Sequence, residues 1–267
     1  MADWVAFSVD LEPNKDDTLN GVAEAMDWFD DTVSRGTVFA THRIATELPS
    51  VIADLAADHE IGVHVHPREF GHEHDQLAEL GADQQRELIA ESRAALAVAA
   101  GIDEDTIVSF RAGRHSASET TFGVLADLGF EVDASINVRY TAYLPESLTS
   151  RREPFVLDSG LFELPTTYER PPLFSRVGVR LFSNRELTAT ANTLRTDRRG
   201  CSGLYALRWL RDAGDGLSMY MHPYDATDHH TNLENSGDIF RDRIQRLLNS
   251  VDSSAFVAVS DLWESER

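Results

Sequence analysis

The sequence predicts an α/β fold built on a parallel β-sheet. Short apolar runs rich in β-branched residues alternate with longer stretches in which apolar residues recur about every 3.6 positions. This alternation is typical of parallel sheets, because parallel neighbours need a long crossover connection that is usually helical. A (β/α) barrel and an open doubly wound sheet both fit about seven strands. The predicted strands cover residues 5–11, 37–41, 60–66, 106–112, 162–167, 217–222 and 256–260.

Length and composition predict one domain that spans residues 1–267. No apolar run is long enough to cross a membrane, and the opening residues carry acids where a signal peptide would carry bases. We therefore expect a cytoplasmic protein without membrane insertion. The single cysteine, Cys201, cannot form an internal disulfide or a thiolate zinc cluster, so any metal must be bound by His, Asp or Glu.

Acidic residues dominate the charge of the chain. Asp and Glu number 45 against 24 Lys and Arg, the formal net charge is -21, and Lys15 is the only lysine. Carboxylates keep a surface hydrated in concentrated salt, where charges are screened within about 3 Å. We interpret the composition as that of a haloarchaeal protein, with an acidic mesophilic enzyme as the alternative. The negative field also repels phosphate backbones, so we expect no nucleic-acid partner.

Polar side chains cluster where the predicted strands end. Since the carboxyl ends of parallel strands meet at one face of a barrel, residues far apart in sequence should share one pocket there. A histidine at a single strand end is more often an ordinary loop residue, but the pattern here recurs at four strand ends. The residues concerned are Asp10 and Glu12, His64 and His66, Arg111 and Arg114, and His222 with Asp225.

Two carboxylates at the end of the first predicted strand form the first candidate group. Asp10 and Glu12 lie two positions apart, so their side chains point to the same face of an extended strand. Carboxylates held this close repel each other unless a cation lies beside them. A metal ion held by one would leave the other free to act as a base. A turn or helix cap before Pro13 is the alternative interpretation.

Two histidines at the end of the third predicted strand form the second group. His64 and His66 alternate with valines, which places both imidazoles on one face of the strand. Two imidazoles and a carboxylate with open positions suit zinc, or another divalent ion, that activates water. His72 and His74 in the following loop are either solvated or additional ligands.

Arg111 and His222 complete the set of candidates. Arg111 could bind a carboxylate through two hydrogen bonds and keep it ionised, although an ordinary ion pair is the alternative. His222 precedes a proline and suits a general acid whose pKa is raised by Asp225 or Asp133. A third metal ligand is the alternative role for His222.

Taken together, these motifs resemble the NodB homology domain of polysaccharide deacetylases, which form carbohydrate esterase family four. The similarity extends over nearly the whole chain, in the order SVDLE, GTVFAT, HEIGVHVHP, FRAGRHS, GFEVDASI, GLFELPTT, MHPYD and FVAVSDL. The resemblance implies a distorted (β/α) barrel of about seven parallel strands. It also implies hydrolysis of an N-acetyl group from an amino sugar. By the same resemblance Asp10 is the catalytic base, Glu12 and His64 are metal ligands, Arg111 orients the base, and His222 is the general acid.

The chain departs from the family pattern at the second metal histidine. That histidine usually follows the first by four residues, and Arg68 occupies the position here. We expect His66 to be the second metal histidine in this chain, because it shares a strand face with His64. His72 or His74 could reach the metal instead.

Two further departures concern the carboxylates and the arginine motif. The family usually has adjacent aspartates, whereas Leu11 separates Asp10 from Glu12 here. Ala112 and Gly113 stand where the motif usually contains a proline.

The sequence thus predicts a metal-dependent amide hydrolase that acts on a small-molecule or glycan substrate, with zinc as the expected metal. The expected metal ligands are Glu12, His64 and His66, and the expected catalytic residues are Asp10, Arg111 and His222. An imide or ureide hydrolase on the same fold and a catalytically inactive carbohydrate-binding domain are the alternatives. The sequence does not determine the oligomeric state.

Stability should rise with salt, because the surplus of carboxylates repels itself when unscreened. We expect the melting temperature to increase between about 0.1 M and about 2 M potassium chloride. Differential scanning calorimetry measures this directly. An unchanged melting temperature would contradict the halophilic interpretation.

Overall fold

The computed structural model describes residues 2–169, 187–198, 201–229, 233–249 and 251–267. The strands in this part of the chain are β1 (Trp4–Leu11), β2 (Thr37–Ala40), β3 (Glu60–Val65), β4 (Ser109–Ala112), β5 (Val132–Asp133), β6 (Phe155–Val156), β7 (Phe162–Glu163), β8 (Tyr168–Glu169), β9 (Leu187–Thr188), β10 (Asp197–Arg198), β11 (Cys201–Ser202) and β12 (Gly216–Met221). The α-helices are α1 (Val22–Thr32), α2 (His42–Glu47), α3 (Pro49–Leu55), α4 (Ala82–Ala100), α5 (Glu119–Asp127), α6 (Ala191–Arg195), α7 (Gly203–Ala213), α8 (Asp238–Leu248) and α9 (Val259–Glu266).

Eight strands form the central sheet, in the order β12, β1, β2, β3, β4, β5, β7 and β6. The first seven are parallel to their neighbours, and β6 pairs antiparallel with β7. The chain after β7 returns to β12, where the Thr167 amide donates to the Ser218 carbonyl oxygen at 2.9 Å and the Ser218 amide donates to the Thr167 hydroxyl oxygen at 2.8 Å. The predicted distorted barrel of about seven parallel strands is confirmed.

The strand prediction was wrong at residues 256–260. Phe256 forms only an isolated bridge with Val5, and helix α9 begins at Val259. The Asp261 carboxylate accepts a hydrogen bond from the Ala258 amide at 2.7 Å and so caps the first turn of the helix. Short buried helices and strands share the same apolar composition, so the apolar run alone does not distinguish between them.

Helix α9 closes the amino end of the barrel. The Val259 amide donates to the Thr37 hydroxyl at the start of β2, at 2.9 Å, and the Trp263 ring stacks on Phe162 with the centroids 5.4 Å apart. The barrel interior beside it is filled by apolar side chains, namely Ala6, Phe39, Val132, Ala134, Phe162, Leu164 and Val259. The carboxyl ends of the strands therefore face the opposite end, where the polar residues lie.

Amphipathic helices cover the outer face of the sheet. In α1 the buried residues recur every three or four positions, at Val22, Ala25, Met26 and Phe29. The Phe29 ring meets Phe7 of β1 edge to face, with 5.5 Å between centroids. Helix α1 thus packs one apolar stripe on the sheet. Among the described residues, no helix has the length and apolar character needed to span a bilayer.

Gly62 of β3 lies where a side chain would collide with the barrel interior. A Cβ atom there would be 2.7 Å from the Phe39 ring and 3.1 Å from the Ser109 carbonyl oxygen. We expect Gly62→Ala to lower the free energy of unfolding by about 1–3 kcal/mol through overpacking. Gly123 of α5 is the matched control, because nothing lies within 4 Å of its added Cβ.

Gly123→Ala should raise the free energy of unfolding by about 0.5–1 kcal/mol, since alanine favours the helix. Denaturant unfolding at one fixed salt concentration measures both variants. Equal stability changes in the two variants would show that the interior tolerates the extra methyl group.

Candidate active site

The carboxyl ends of the central strands converge on one cavity of about 1490 Å³. This volume exceeds the usual range of small-ligand pockets, about 300–1,000 Å³, and suits a bulky or extended ligand. Asp10 and Glu12 extend from β1, His64 and His66 from β3, and His222 follows β12. All five side chains line the cavity, as the strand-end pattern predicts.

Glu12, His64 and His66 bring three ligand atoms together. The Glu12 Oε2 atom lies 2.7 Å from His66 Nε2 and 3.7 Å from His64 Nε2, and the two Nε2 atoms are 3.1 Å apart. Carboxylate oxygen and imidazole nitrogen are the ligand atoms that zinc takes from residues other than cysteine. Among the described residues, this is the group whose geometry could hold a metal ion.

The outer ring nitrogens of both histidines are already engaged. His64 Nδ1 lies 2.8 Å from the Arg111 carbonyl oxygen, and His66 Nδ1 lies 3.0 Å from the Asp75 carboxylate. Both partners are acceptors, so each Nδ1 carries a hydrogen, and an Nε2 atom that carries none faces Glu12 as an acceptor. Three acceptor atoms that face one another need a positive charge between them, and a divalent ion fits this requirement.

Electrostatics at these residues lead to the same conclusion. Burial favours the neutral ring of His66, but Asp75 and Glu12 outweigh it and raise the pKa of His66 to about 10. Burial likewise opposes ionisation of Glu12, yet hydrogen bonds from His64 and His66 hold the pKa of this carboxyl well below its usual range. Without a metal, a proton on His66 therefore supplies the positive charge that the cluster requires.

Asp10 forms a buried ion pair with Arg111. Arg111 Nη1 donates to Asp10 Oδ1 at 2.6 Å and to the Ser8 hydroxyl at 2.8 Å, and both charged side chains are almost fully buried. Burial acts to raise the pKa of Asp10, but the Arg111 guanidinium and the neighbouring imidazoles together outweigh it and leave the pKa below its usual range. Asp10 is thus an ionised carboxylate at neutral pH, as a general base must be.

His222 faces both carboxylates from the other side of the cavity. Its Nε2 atom lies 3.9 Å from Asp10 Oδ2 and 3.8 Å from Glu12 Oε1. Its Nδ1 atom lies 3.3 Å from Asp225 Oδ2, which also accepts from the His222 amide at 2.9 Å. Burial lowers the pKa of His222, but Asp225 and Glu12 outweigh it, so the pKa lies above its usual value.

Of the two predicted partners for His222, Asp225 is the one in contact. Asp133 instead lies behind Arg111 in a pair with Glu163, and its carboxylate accepts from the Ser135 hydroxyl at 2.5 Å. Burial raises the pKa of Asp133 and the pKa of Glu163. The alternative role of Asp133 beside His222 was therefore wrong, because its neighbours Val132 and Ala134 point into the barrel interior and the Asp133 side chain points to the opposite face of the sheet.

The remaining candidates lie around the three-ligand group. Arg114 donates through Nε to Asp75 Oδ2 at 2.8 Å and does not contact Asp10. His72 and His74 follow the turn Pro67–Phe70 and are partly or fully exposed. Neither is part of the three-residue cluster found among the described residues.

Sequence reasoning missed residues that support the predicted ones. Asp75 holds His66, and Arg195 of α6 lies with Nε 2.8 Å from the Asp225 carboxylate. His115 is buried beside Tyr220, whose hydroxyl donates to His115 Nε2 at 2.9 Å. Burial lowers the pKa of His115 to about 4, so this ring is neutral. Spacing gave no signal for Asp75 or Arg195, whereas His115 stands within the FRAGRHS motif.

The turn after β4 has an unusual backbone. Arg114 and His115 both adopt φ 54°, in the left-handed region that non-glycine residues rarely occupy. A Cβ atom on the preceding Gly113 would lie 2.6 Å from the Val65 carbonyl oxygen and 2.8 Å from the His66 ring. The absence of a side chain at Gly113 therefore leaves the space that the His66 ring occupies.

Comparison with solved structures supports the fold. The chain is similar to a Mycobacterium smegmatis protein assigned to the polysaccharide deacetylases, with a TM-score of 0.59, 22% identity, and coverage of 92% of this chain and 77% of the other. It is also similar to a family 4 carbohydrate esterase from Streptomyces lividans, solved with acetate, with a TM-score of 0.52, 14% identity, and coverage of 96% and 91%. A family 4 pseudoenzyme from Bacillus anthracis matches with a TM-score of 0.53, 12% identity, and coverage of 98% and 65%.

Sequence comparison points to one family. No curated protein sequence matches the chain significantly. The sequence model of the family described as polysaccharide deacetylase matches residues 5–132, which include Asp10, Glu12, His64, His66 and Arg111. Residues 5–132 of the chain are thus similar to the polysaccharide deacetylase family, and the fold is similar to that of solved structures described as members of it.

Proposed function

We propose that this chain removes an N-acetyl group from an amino sugar or glycan precursor by metal-dependent hydrolysis. The observation that carries the proposal is the convergence of Glu12, His64 and His66 on one point, with Asp10 and His222 beside it. A cation site next to an ionised carboxylate and a protonatable imidazole is what hydrolysis of an unactivated amide needs.

Glu12, His64 and His66 would hold the metal, with zinc as the proposed ion. A divalent ion bound there polarises the acetyl carbonyl and lowers the pKa of an attacking water. Asp75 and the Arg111 carbonyl group fix the tautomers of the two histidines, as supporting hydrogen bonds do in known metal sites. Three protein ligands leave coordination positions open for water and substrate.

Asp10 is the proposed general base. Its Oδ1 atom is engaged by Arg111, while its Oδ2 atom faces the cavity and His222. This arrangement leaves one oxygen to take the proton from water as the oxygen–carbon bond forms. Arg111 stays a positioning residue, because its guanidinium is held by Asp10 and by the Ser8 hydroxyl and lies over the Phe39 ring at 4.3 Å.

His222 is the proposed general acid. Asp225 fixes the ring through Nδ1, which leaves Nε2–H pointing toward Asp10 and Glu12. A pKa above the usual value favours the protonated ring, which is the form a general acid needs. His222 then donates its proton to the nitrogen as the carbon–nitrogen bond breaks, and the products are acetate and a free amine. Proton loss by Asp10 and uptake by His222 restore the starting state.

A catalytically inactive role has one observation in its favour, namely the structural similarity to a pseudoenzyme. In this chain, however, the proposed base, the proposed acid and the three proposed ligand residues all line one cavity. We therefore favour the enzyme over the inactive carbohydrate-binding domain.

The metal site can be tested separately from catalysis. Replacement of Glu12, His64 or His66 by Ala should remove most of the bound zinc and the acetate release, because each supplies one ligand atom. His72→Ala and His74→Ala are matched controls from the adjacent loop and should keep both. Zinc content by elemental analysis is the measurement. Loss of zinc in a control, with zinc retained in His66→Ala, would show that the loop supplies the ligand.

Two catalytic variants should keep the metal and lose activity. His222→Gln removes the proton donor and should lower kcat about 10²–10⁴-fold. Arg111→Lys keeps the charge but loses the guanidinium, whose Nε atom donates to the Ala134 carbonyl oxygen while Nη1 donates to Asp10, so kcat should fall while zinc content stays at the wild-type level. Acetate release and zinc content are measured on the same samples. Loss of zinc in His222→Gln would show that His222 is a metal ligand. Another group would then have to protonate the amine.

A further inference from the structure

The cavity is much less acidic than the chain as a whole. Acidic residues outnumber basic ones by 45 to 24 in the sequence. The cavity, in contrast, is lined by equal numbers of the two kinds. The basic lining residues are Lys15, Arg43, Arg68, Arg114, Arg139 and Arg195, and the acidic ones are Asp10, Glu12, Asp17, Glu69, Asp75 and Asp225. A ligand in this cavity therefore meets far more positive charge than the surface average provides.

The carboxylates of the cavity are engaged with protein cations. Asp10 is paired with Arg111, and Asp17 with Arg43. Asp75 accepts from Arg114, whose Nε atom lies 2.8 Å away, and Glu12 and Asp225 face histidines. Glu69 accepts a hydrogen bond from the Arg43 backbone amide at 3.1 Å. The negative charge of the lining is thus largely compensated within the protein, whereas some of its cations remain without such a partner.

Lys15 is one such cation. Its exposed ammonium has no carboxylate within ion-pair distance in the described part of the chain and lies 4.8 Å from the centroid of the Tyr224 ring. It is also the only lysine among 24 basic residues. Lysine presents a compact point charge with rotatable donors, which suits phosphate and carboxylate groups of variable geometry. Arg68 lines the same cavity, and it too has no ion-pair partner among the described residues.

The loop that carries Lys15 is held in place by its neighbour. The Asn14 side-chain amide donates to the Asn20 carbonyl oxygen at 2.9 Å and to the Thr18 hydroxyl at 3.2 Å. The Asn14 backbone amide also donates to the Thr18 carbonyl oxygen at 2.9 Å. Lys15 therefore projects from a hydrogen-bonded turn, with its ammonium beside the Tyr224 ring.

Lys15 lies on the side of the cavity where the amine would leave. The Tyr224 ring stacks on His222 with 4.6 Å between centroids and an interplanar angle of 12°, so the ammonium and the proposed acid both contact this ring. As the proposed acid, His222 must be near the nitrogen of the scissile amide. A sugar that extends from this nitrogen past Tyr224 would reach Lys15.

We propose that the amine-bearing sugar of the substrate carries an anionic group, phosphate or carboxylate, that binds Lys15. The proposal rests on the proposed deacetylase function, because His222 as proton donor fixes the side on which the sugar lies. It assigns the substrate to charged amino sugars and excludes neutral polymers such as chitin as the preferred substrate.

Binding of deacetylated products tests the proposal without turnover. Isothermal titration calorimetry of the zinc-loaded full chain, at one salt concentration, would compare glucosamine with glucosamine 6-phosphate and with 2-amino-2-deoxyglucuronic acid. The wild type should bind at least one of the anionic ligands about tenfold more tightly than glucosamine, the size expected for one charge-assisted contact. The ligand that shows this preference identifies the anionic group.

Variants show whether Lys15 is the source of the preference for anionic over neutral ligands. Lys15→Gln should bring the affinity ratio of anionic to neutral ligand close to one, and Lys15→Arg should keep most of the preference. Arg246→Gln is the matched control, because it removes the same charge from an exposed position in α8 that pairs with Asp242 outside the cavity. It should keep the wild-type ratio.

Two results would overturn the proposal. Equal wild-type affinity for charged and neutral ligands shows that no anion site exists. A preference that survives in Lys15→Gln shows that the anion binds elsewhere, for example at the zinc ion. If the chain is not a deacetylase, the result is different. The N-acetylated forms of all three sugars would then release no acetate, even where the binding preference depends on Lys15.

Discussion

The ion pair between Arg111 and Asp10 is the interaction on which the site depends. Arg111 is almost fully buried, and its guanidinium reaches Asp10, Ser8 and the Ala134 carbonyl oxygen. Its own carbonyl group accepts from His64 Nδ1. One residue of β4 therefore fixes the proposed base on β1 and the tautomer of a proposed metal ligand on β3. A desolvated pair of this kind is costly to break, because the remaining charge has no water to replace its partner.

Two departures from the family pattern are linked by packing. In the usual pattern a second histidine follows the first by four residues, and this chain has an exposed Arg68 there. His66 lies nearer in sequence to His64, on the same strand face, and brings its Nε2 atom to Glu12. The His66 ring fits because Gly113, in the motif that usually contains a proline, has no Cβ atom to collide with it. The departures thus conserve a three-ligand geometry, with the second histidine supplied from a different position.

The sequence predicted the parts of the site that lie on strands and missed those that come from elsewhere. Alternation along β1 and β3 places Asp10 with Glu12 and His64 with His66, because side chains two apart share a face. Asp75 and Arg195 belong to a loop and a short helix, and only the three-dimensional path of the chain brings them to His66 and Asp225. The prediction of a strand at residues 256–260 failed for a local reason. The Asp261 carboxylate caps a helix that begins within this apolar run.

The central claim is that one cation is held between Glu12 and two histidines from a single strand. A crystal structure of the zinc-loaded protein, with anomalous scattering recorded at the zinc edge, tests it most directly. The account predicts one zinc ion bonded to a Glu12 carboxylate oxygen and to the Nε2 atoms of His64 and His66, with His222 outside the coordination sphere. Zinc bonded to His222, or to His72 or His74 in place of His66, would contradict the account.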